Sequence, residues 1–449
     1  MPSSDVSDDS RLYRRRFWML FVFVLANATN SFQWIEYSVI TNITTRFYGV
    51  SETAVNWTSI LFMVMYVVCI VPATWVLNRY GLRLFLIMGT FFTFFGAFIK
   101  CFSAQPDRFW LTFIGQTIAA SAQVFVLGTP SKLAAVWFGW HELTTACAVG
   151  VFGNTLGVAV GFYTPSHLVL APDGDDMRAT AAGFQRLFNL SAFASGAVFL
   201  VTLCTFEKQP PTPPTRAEQS LEATHYGYWQ SLKILSRNTG FLMLVVAYGI
   251  NSGTAYSLST LLNQMLIKIY PNSETEVGLG GVLVVASGTV GSFVLAFLLD
   301  KTQSYTRITR TVYGGAFCGV ALFLISLMFR NAIFVVLIAV TIVGFFIIAF
   351  FTIGFEYGAE LTFPVCEGTS AGILNVSAQI FGMLITYFGG QMLIGAEPPY
   401  YGTNLCMTAA MLAGFILILL IKPDLKRKAV EMESNAALID SSENYGAAG

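Results

Sequence analysis

The sequence predicts an all-α membrane protein whose twelve transmembrane helices form two pseudo-symmetric six-helix bundles. Three observations carry that prediction: scarcity of charge, the length of the apolar runs, and an internal repeat at nearly one offset. Of 449 residues, 55% are hydrophobic and 11% charged, and mean hydropathy is +0.63. A soluble domain charges about a quarter of its residues, so this chain cannot cover a water-facing surface. A bilayer core about 30 Å thick takes roughly 20 apolar residues as helix, and only helices or closed barrels satisfy the backbone there. Barrel strands of about 10 alternating residues are far shorter than the runs found here.

Twelve apolar runs lie near 17–40, 55–77, 84–102, 109–134, 143–165, 188–206, 239–267, 278–299, 311–329, 331–355, 369–393 and 403–422. The first is too long for a cleaved signal core and reads as an anchor and first span. Residues 1–16 are expected as a cytoplasmic tail and 17–206 as the N-terminal bundle. A cytoplasmic linker, 207–238, contains Pro210, Pro211, Pro213 and Pro214. The second bundle takes 239–422, and 423–449 form a cytoplasmic tail. With the N-terminus inside, seven of the 25 basic residues (Arg46, Lys100, Arg108, Arg178, Arg186, Lys268 and Arg330) fall outside and the other eighteen inside. This bias places both termini in the cytosol, and an odd number of spans would scramble it.

Three matches recur in order at topologically equivalent places. Asn30-Ser31 and Trp34 of span 1 parallel Asn251-Ser252 and Tyr256 of span 7, 221 to 222 residues on. Asn78-Arg79 after span 2 parallels Asp300-Lys301 after span 8, at 222, and Glu142-x-Thr144-x-Ala146 parallels Glu367-x-Thr369-x-Ala371, at 225. The second match resembles the G-x-x-x-D-[RK]-x-G-R-[RK] loop of major facilitator transporters. Asn78, Arg79, Gly81 and Arg83 stand in the first copy, Asp300 and Lys301 in the degenerate second. The resemblance implies a cytoplasmic latch between the halves, weakened where Asn78 replaces the usual acid. For any single Arg, a snorkelling stop-transfer charge is an equally good account; the duplication favours the latch. Gly153, Gly157 and Gly161, at i, i+4 and i+8 of span 5, form a small-residue seam expected to serve packing within the chain.

Polar residues inside apolar runs are costly and tend to face a cavity or a partner helix. Span 1 has Asn27, Asn30, Gln33, Trp34 and Glu36; span 4 has Gln116 and Gln123; span 5 has Asn154; span 7 has Asn251, Tyr256, Asn263 and Gln264; span 11 has Asn375, Ser377 and Gln379. No Lys or Arg stands at the centre of a span, which argues against an anionic substrate. Trp34 and Tyr256, from pseudo-equivalent helices, suit an ammonium through cation–π attraction of about 2 kcal/mol or more when desolvated. Gln123 and Gln379 offer hydrogen bonds to a hydroxyl on the same ligand. From this chemistry the substrate is an organic cation or a neutral polar solute. Glu36 stands late in span 1, toward an outer vestibule.

Zero formal net charge removes a bulk electrostatic case for nucleic acid. Seven scattered cysteines form no CxxC or ligand cluster, so no metal site and no cofactor is expected. His141, His167 and His225 fall in expected loops, away from where an axial haem ligand would be needed. Apart from Glu36, no central Asp, Glu or His resembles a proton relay, and no enzyme chemistry is indicated.

The stretches Asn30–Ile35, Gly115–Gln123 continuing to Ala134, Ala255–Gln264, and Glu367–Ser370 with Ala378–Gly382 resemble the feline leukaemia virus subgroup C receptor family, in order and over about residues 12 to 422. The resemblance implies a facilitative transporter of choline and, for some members, ethanolamine, with haem export or haem-linked regulation as an alternative assignment. A ligand-sensing receptor that does not transport is a third. It implies substrate contact by Trp34, Tyr256, Gln123, Gln379 and Asn30. The chain is expected as a plasma-membrane monomer whose partners are the small-molecule substrate and the bilayer. Glu36 departs from the resemblance, standing where a neutral amide is expected. Sequons at Asn42 and Asn56 face outward but lie close to the membrane.

Overall fold

The structure, a computed structural model, describes residues 13–139, 142–170, 177–210, 228–302, 304–329, 332–363, 365, 367–395 and 399–422. Most of both tails, His141, His225, Arg330, Cys366 and the prolines at 211, 213 and 214 lie outside the described residues. The elements are helical throughout this set: α1 (Arg15–Ile35), α2 (Thr41–Tyr48), α3 (Glu52–Tyr80), α4 (Leu82–Lys100), α5 (Phe109–Ser121), α6 (Gln123–Leu127), α7 (Pro130–Trp137), α8 (Leu143–Leu168) and α9 (Met177–Thr205) build the first half. A short helix, α10 (Tyr228–Leu235), falls in the linker. The second half holds α11 (Thr239–Ile267), α12 (Glu274–Thr302), α13 (Tyr305–Ser326), α14 (Ile333–Thr362), α15 (Glu367–Gly395) and α16 (Pro399–Leu420).

Among the described residues, 11 segments are long and apolar enough to cross a membrane, with α5 and α6 counted as one span. The twelfth, α1, is 21 residues long. Its polar content comes from Arg15 and Arg16 at the start and Asn27, Asn30 and Gln33 further on. Several ends follow from local chemistry. Ser51 caps α3 by accepting from the Ala54 amide at 3.2 Å, and Asn238 caps α11 through the Phe241 amide at 3.0 Å. Gly81, at φ +82°, turns the chain sharply from α3 into α4. The fourth span, expected as continuous over 109–134, is broken twice. One break falls at Pro130, which has no N–H to donate back to the preceding turn, so that α7 restarts with proline in its first turn.

The first span also stops early, at Ile35 rather than near 40, and continues as a 3-10 turn over Ser38–Ile40 before α2. His167, expected in a loop, sits in the last turn of α8, stacked on Tyr163 at 4.1 Å. The glycine seam of α8 holds α1. A Cβ on Gly153 would meet the Val24 carbonyl oxygen at 2.7 Å, and one on Gly157 would meet that of Ala28 at 2.2 Å. The halves join where α12 lies on α8 and α15 on α3. Gly278 and Gly281 of α12 press against Phe162 and Ser166. One large core runs through the second half and reaches Trp34, Ile35, Phe62 and Phe162 of the first.

Candidate functional site

The break in α1 places Trp34 in its last turn, one residue from the end, with its ring toward α11. There it meets Tyr256 edge to face: the ring centroids are 5.5 Å apart and the planes at 79°. Trp34 is 8% exposed, and its indole N–H has no hydrogen-bond partner among the described residues. Tyr256 also touches Phe351 of α14, at 6.2 Å and 61°. Room for its ring comes from Gly382 of α15, where a Cβ would lie 2.8 Å from Tyr256 Cδ2 and 3.0 Å from the Met63 sulfur.

Gln379 lies three residues before Gly382, on the same face of α15. The Tyr256 hydroxyl faces its amide, yet among the described residues neither amide atom completes a hydrogen bond of ordinary geometry, although the residue is 1% exposed. A buried amide with both ends unpaired is costly, since each lost partner is worth about 1–3 kcal/mol, and such groups call for a functional explanation. Gln123 opens α6, which packs against α1 and α3. It is 9% exposed, and its carbonyl oxygen is also unpaired. The rings and Gln379 therefore meet, with Gln123 on an adjoining helix of the first half.

Asn30 is arranged differently. Its amide nitrogen donates to the Ala119 carbonyl at 3.0 Å and to Thr93 Oγ1 at 3.3 Å, tying α1 to α5 and α4. Other amides expected to line the centre are likewise spent between helices. Asn27 donates to the Gly150 carbonyl, Asn251 to that of Ile347, and Asn154 to Ser31 Oγ.

Glu36 does not face a vestibule. It is fully buried and paired with Lys100, equally buried, whose ammonium also donates to Gln116 Oε1 at 3.0 Å. Sequence reasoning sorted Lys100 with the outer loop charges and missed this pair. It also missed a polar cluster beyond the ring pair, where one pair of ends of the two halves meets. Asn263 donates to the Val39 carbonyl at 2.6 Å and to Asn42 Oδ1 at 3.1 Å. Asn42 donates to Glu274 at 2.7 Å, and Asn56 exchanges hydrogen bonds with Gln264. Lys268 pairs with Glu52 at 3.2 Å. Both sequon amide nitrogens, those of Asn42 and Asn56, donate hydrogen bonds here. At the other end Arg79, Arg83 and Lys301 are exposed; the side chains of Asn78 and Asp300 lie outside the described set.

Comparison with known proteins places these features. Residues 16–386 match the model of the Major Facilitator Superfamily. The chain is 39% identical over 431 residues to the "Choline/ethanolamine transporter flvcr2a" of Danio rerio, covering 95% of this chain and 90% of that protein. It is 41% identical over 427 residues to the "Choline/ethanolamine transporter FLVCR1" of Mus musculus, covering 92% and 76%. Among solved structures, a D-xylose-proton symporter superposes with a TM-score of 0.70 at 13% identity, over 91% of this chain and 98% of that one. That likeness is one of fold.

Proposed function

This chain belongs to the feline leukaemia virus subgroup C receptor family of the major facilitator superfamily, and from that premise we propose that it carries choline, and ethanolamine beside it, as a uniporter working by alternating access. It is a multi-pass membrane transporter and not an enzyme. The ammonium is held over the faces of Trp34 and Tyr256, and Gln123 and Gln379 serve the hydroxyl. The observation that carries this reading is the meeting of Trp34 and Tyr256, one ring from each half, beside the unpaired amide of Gln379.

The ring geometry sets a condition on the mechanism. A cation lies within about 6 Å of each ring centroid it binds. At 5.5 Å and 79° the two rings fill each other's space, so no ammonium fits between their faces until they part. Because the rings ride on different halves, parting them is the same motion that rocks the halves. Substrate binding and conformational change are then coupled without a charged residue at the centre. Asn30 supports Trp34 from behind by fixing α1. Asn78, Arg79 and Arg83 with Asp300 and Lys301 act as a cytoplasmic latch, engaged when the outer end opens. The same reading gives a monomer in the plasma membrane with both termini cytosolic.

Radiolabelled choline counterflow in proteoliposomes tests the proposal. The wild type exchanges internal for external choline without a proton gradient, and Trp34→Ala and Tyr256→Ala lose most of that exchange. Binding without counterflow would make the protein a receptor, and wild-type flux no better than either variant would end the choline assignment.

A further inference from the structure

The buried pair Glu36–Lys100 has no part in the transport scheme above, and its surroundings say what it does. Helix α1 ends at Ile35, so the carbonyls of Phe32, Gln33, Trp34 and Ile35 have no partner within the helix. Two of these are taken by side chains from neighbouring helices. Gln116 Nε2 donates to the Gln33 carbonyl at 2.6 Å, and Ser59 Oγ to the Trp34 carbonyl at 3.0 Å. The Gln33 side chain reaches α4, donating to the Thr93 carbonyl at 3.1 Å.

Glu36 follows as the first residue beyond the helix, and its Oε1 binds the Lys100 ammonium. Lys100 is the last residue of α4. Its positive charge therefore lies at the carbonyl-rich end of α1 and of its own helix, where the helix dipoles favour a cation. It also sits 5.8 Å from the centre of the Tyr37 ring and donates to Gln116, the residue that caps Gln33. The chain Glu36–Lys100–Gln116–Gln33 is thus a closed circuit around the end of the helix that carries Trp34. All four side chains are fully buried.

We propose that Glu36 and Lys100 are positioning residues for substrate recognition: they clamp the outer end of α1 to α4 and α5 and so hold the Trp34 ring at one fixed place. The inference rests on the reading of Trp34 as a recognition ring. An ion pair with both partners buried adds little stability against an apolar replacement of similar shape, but removal of one partner leaves a stranded charge. What the pair supplies is geometry. With the end of α1 fixed, one ring of the pair is stationary, and the approach of Tyr256 alone decides when the ammonium is enclosed.

The test uses the full-length protein with Glu36→Gln, Lys100→Met and the double variant. Each single change is expected to raise the choline concentration at half-maximal uptake about tenfold while the maximal rate per surface copy stays within about twofold, the mark of lost uniform binding. The double variant, with no charge stranded, recovers to within about threefold of wild type. Hydrogen exchange of the amides in 33–40 is expected to speed up in the singles, a readout independent of substrate. Unchanged half-saturation in both singles, or a loss confined to surface amount, overturns the proposal. If the wild type takes up no choline, the transport reading fails by itself, and unaltered exchange in 33–40 then decides against the clamp. Should the singles not reach the surface, exchange in the double variant that differs from wild type by more than about threefold sinks it as well.

Discussion

Asn56 and Gln264 exchange two amide hydrogen bonds across the boundary between the halves: Asn56 Nδ2 donates to Gln264 Oε1 at 3.4 Å and Gln264 Nε2 to Asn56 Oδ1 at 2.5 Å. Both residues are buried. The pair is neutral and reciprocal, so it can open without leaving an ion behind. Beside it Gln391 donates to Thr53 at 3.2 Å, which completes a short polar seam between α15 and the start of α3.

If this pair keeps the outer end closed, removing one amide biases the protein toward outer opening. The cost of leaving its partner unpaired is about 1–3 kcal/mol, so Asn56→Ala is expected to raise the open population at least about fivefold. The rate at which an impermeant thiol reagent labels a cysteine placed at Thr53 reads that population. Gln264→Ala should give a similar rate, and the double variant little more than either. Labelling that does not change in Asn56→Ala removes the pair from the gate.

The rings make a second prediction. Loss of a desolvated cation–π contact costs about 2 kcal/mol, or roughly 30-fold in affinity. Trp34→Ala and Tyr256→Ala should each weaken choline binding by that order. Tyr256→Phe keeps the ring and removes only the hydroxyl facing Gln379, so it should bind within about fivefold of wild type. Titration calorimetry on purified protein separates the cases. A Phe variant as weak as the Ala variant would mean that the hydroxyl, not the ring, does the recognising.

What was legible in the sequence follows from what each signal depends on. Spans of apolar residues report the bilayer directly, so all twelve could be marked, and the repeat put Trp34 and Tyr256 on equivalent helices before their rings were seen to touch. The end of α1 was not legible. Ser38–Ile40 is apolar enough to prolong the run, and the early stop is held by contacts with α3, α4 and α5 that no local pattern carries. Lys100 was misplaced for a related reason. A charge at the end of an apolar run usually reaches water, and the carboxylate that draws it inward lies 64 residues away. Residue type likewise could not separate Asn30, whose amide is spent on a backbone carbonyl, from Gln379, whose amide is unspent.

That last distinction has its own experimental signature. Gln379→Leu removes a buried amide that completes no hydrogen bond of ordinary geometry among the described residues, so it should leave thermal stability unchanged or raise it slightly while choline transport falls several-fold. Asn30→Leu strips Ala119 and Thr93 of their donor and should cost about 1–3 kcal/mol of stability, seen as a lower melting temperature in detergent. Equal melting losses in the two variants would mean that Gln379 is a structural residue after all.

The α8 seam gives the sharpest contrast between two chemically identical changes. At Gly157 an added Cβ would lie 2.2 Å from the Ala28 carbonyl oxygen, a backbone atom that cannot swing away. At Gly372 of α15 it would meet nothing within 4 Å. Gly157→Ala must therefore push α8 away from α1, at an overpacking cost of about 1–3 kcal/mol, and with it disturb the helix that carries Trp34. Gly372→Ala meets open space and gains up to about 1 kcal/mol of helix propensity. Melting curves followed by fluorescence-detected size exclusion should rank Gly157→Ala below wild type and Gly372→Ala at or above it. Choline uptake should fall in the first variant only. A Gly157→Ala protein with unchanged melting would mean that α1 and α8 do not pack as closely as this seam requires.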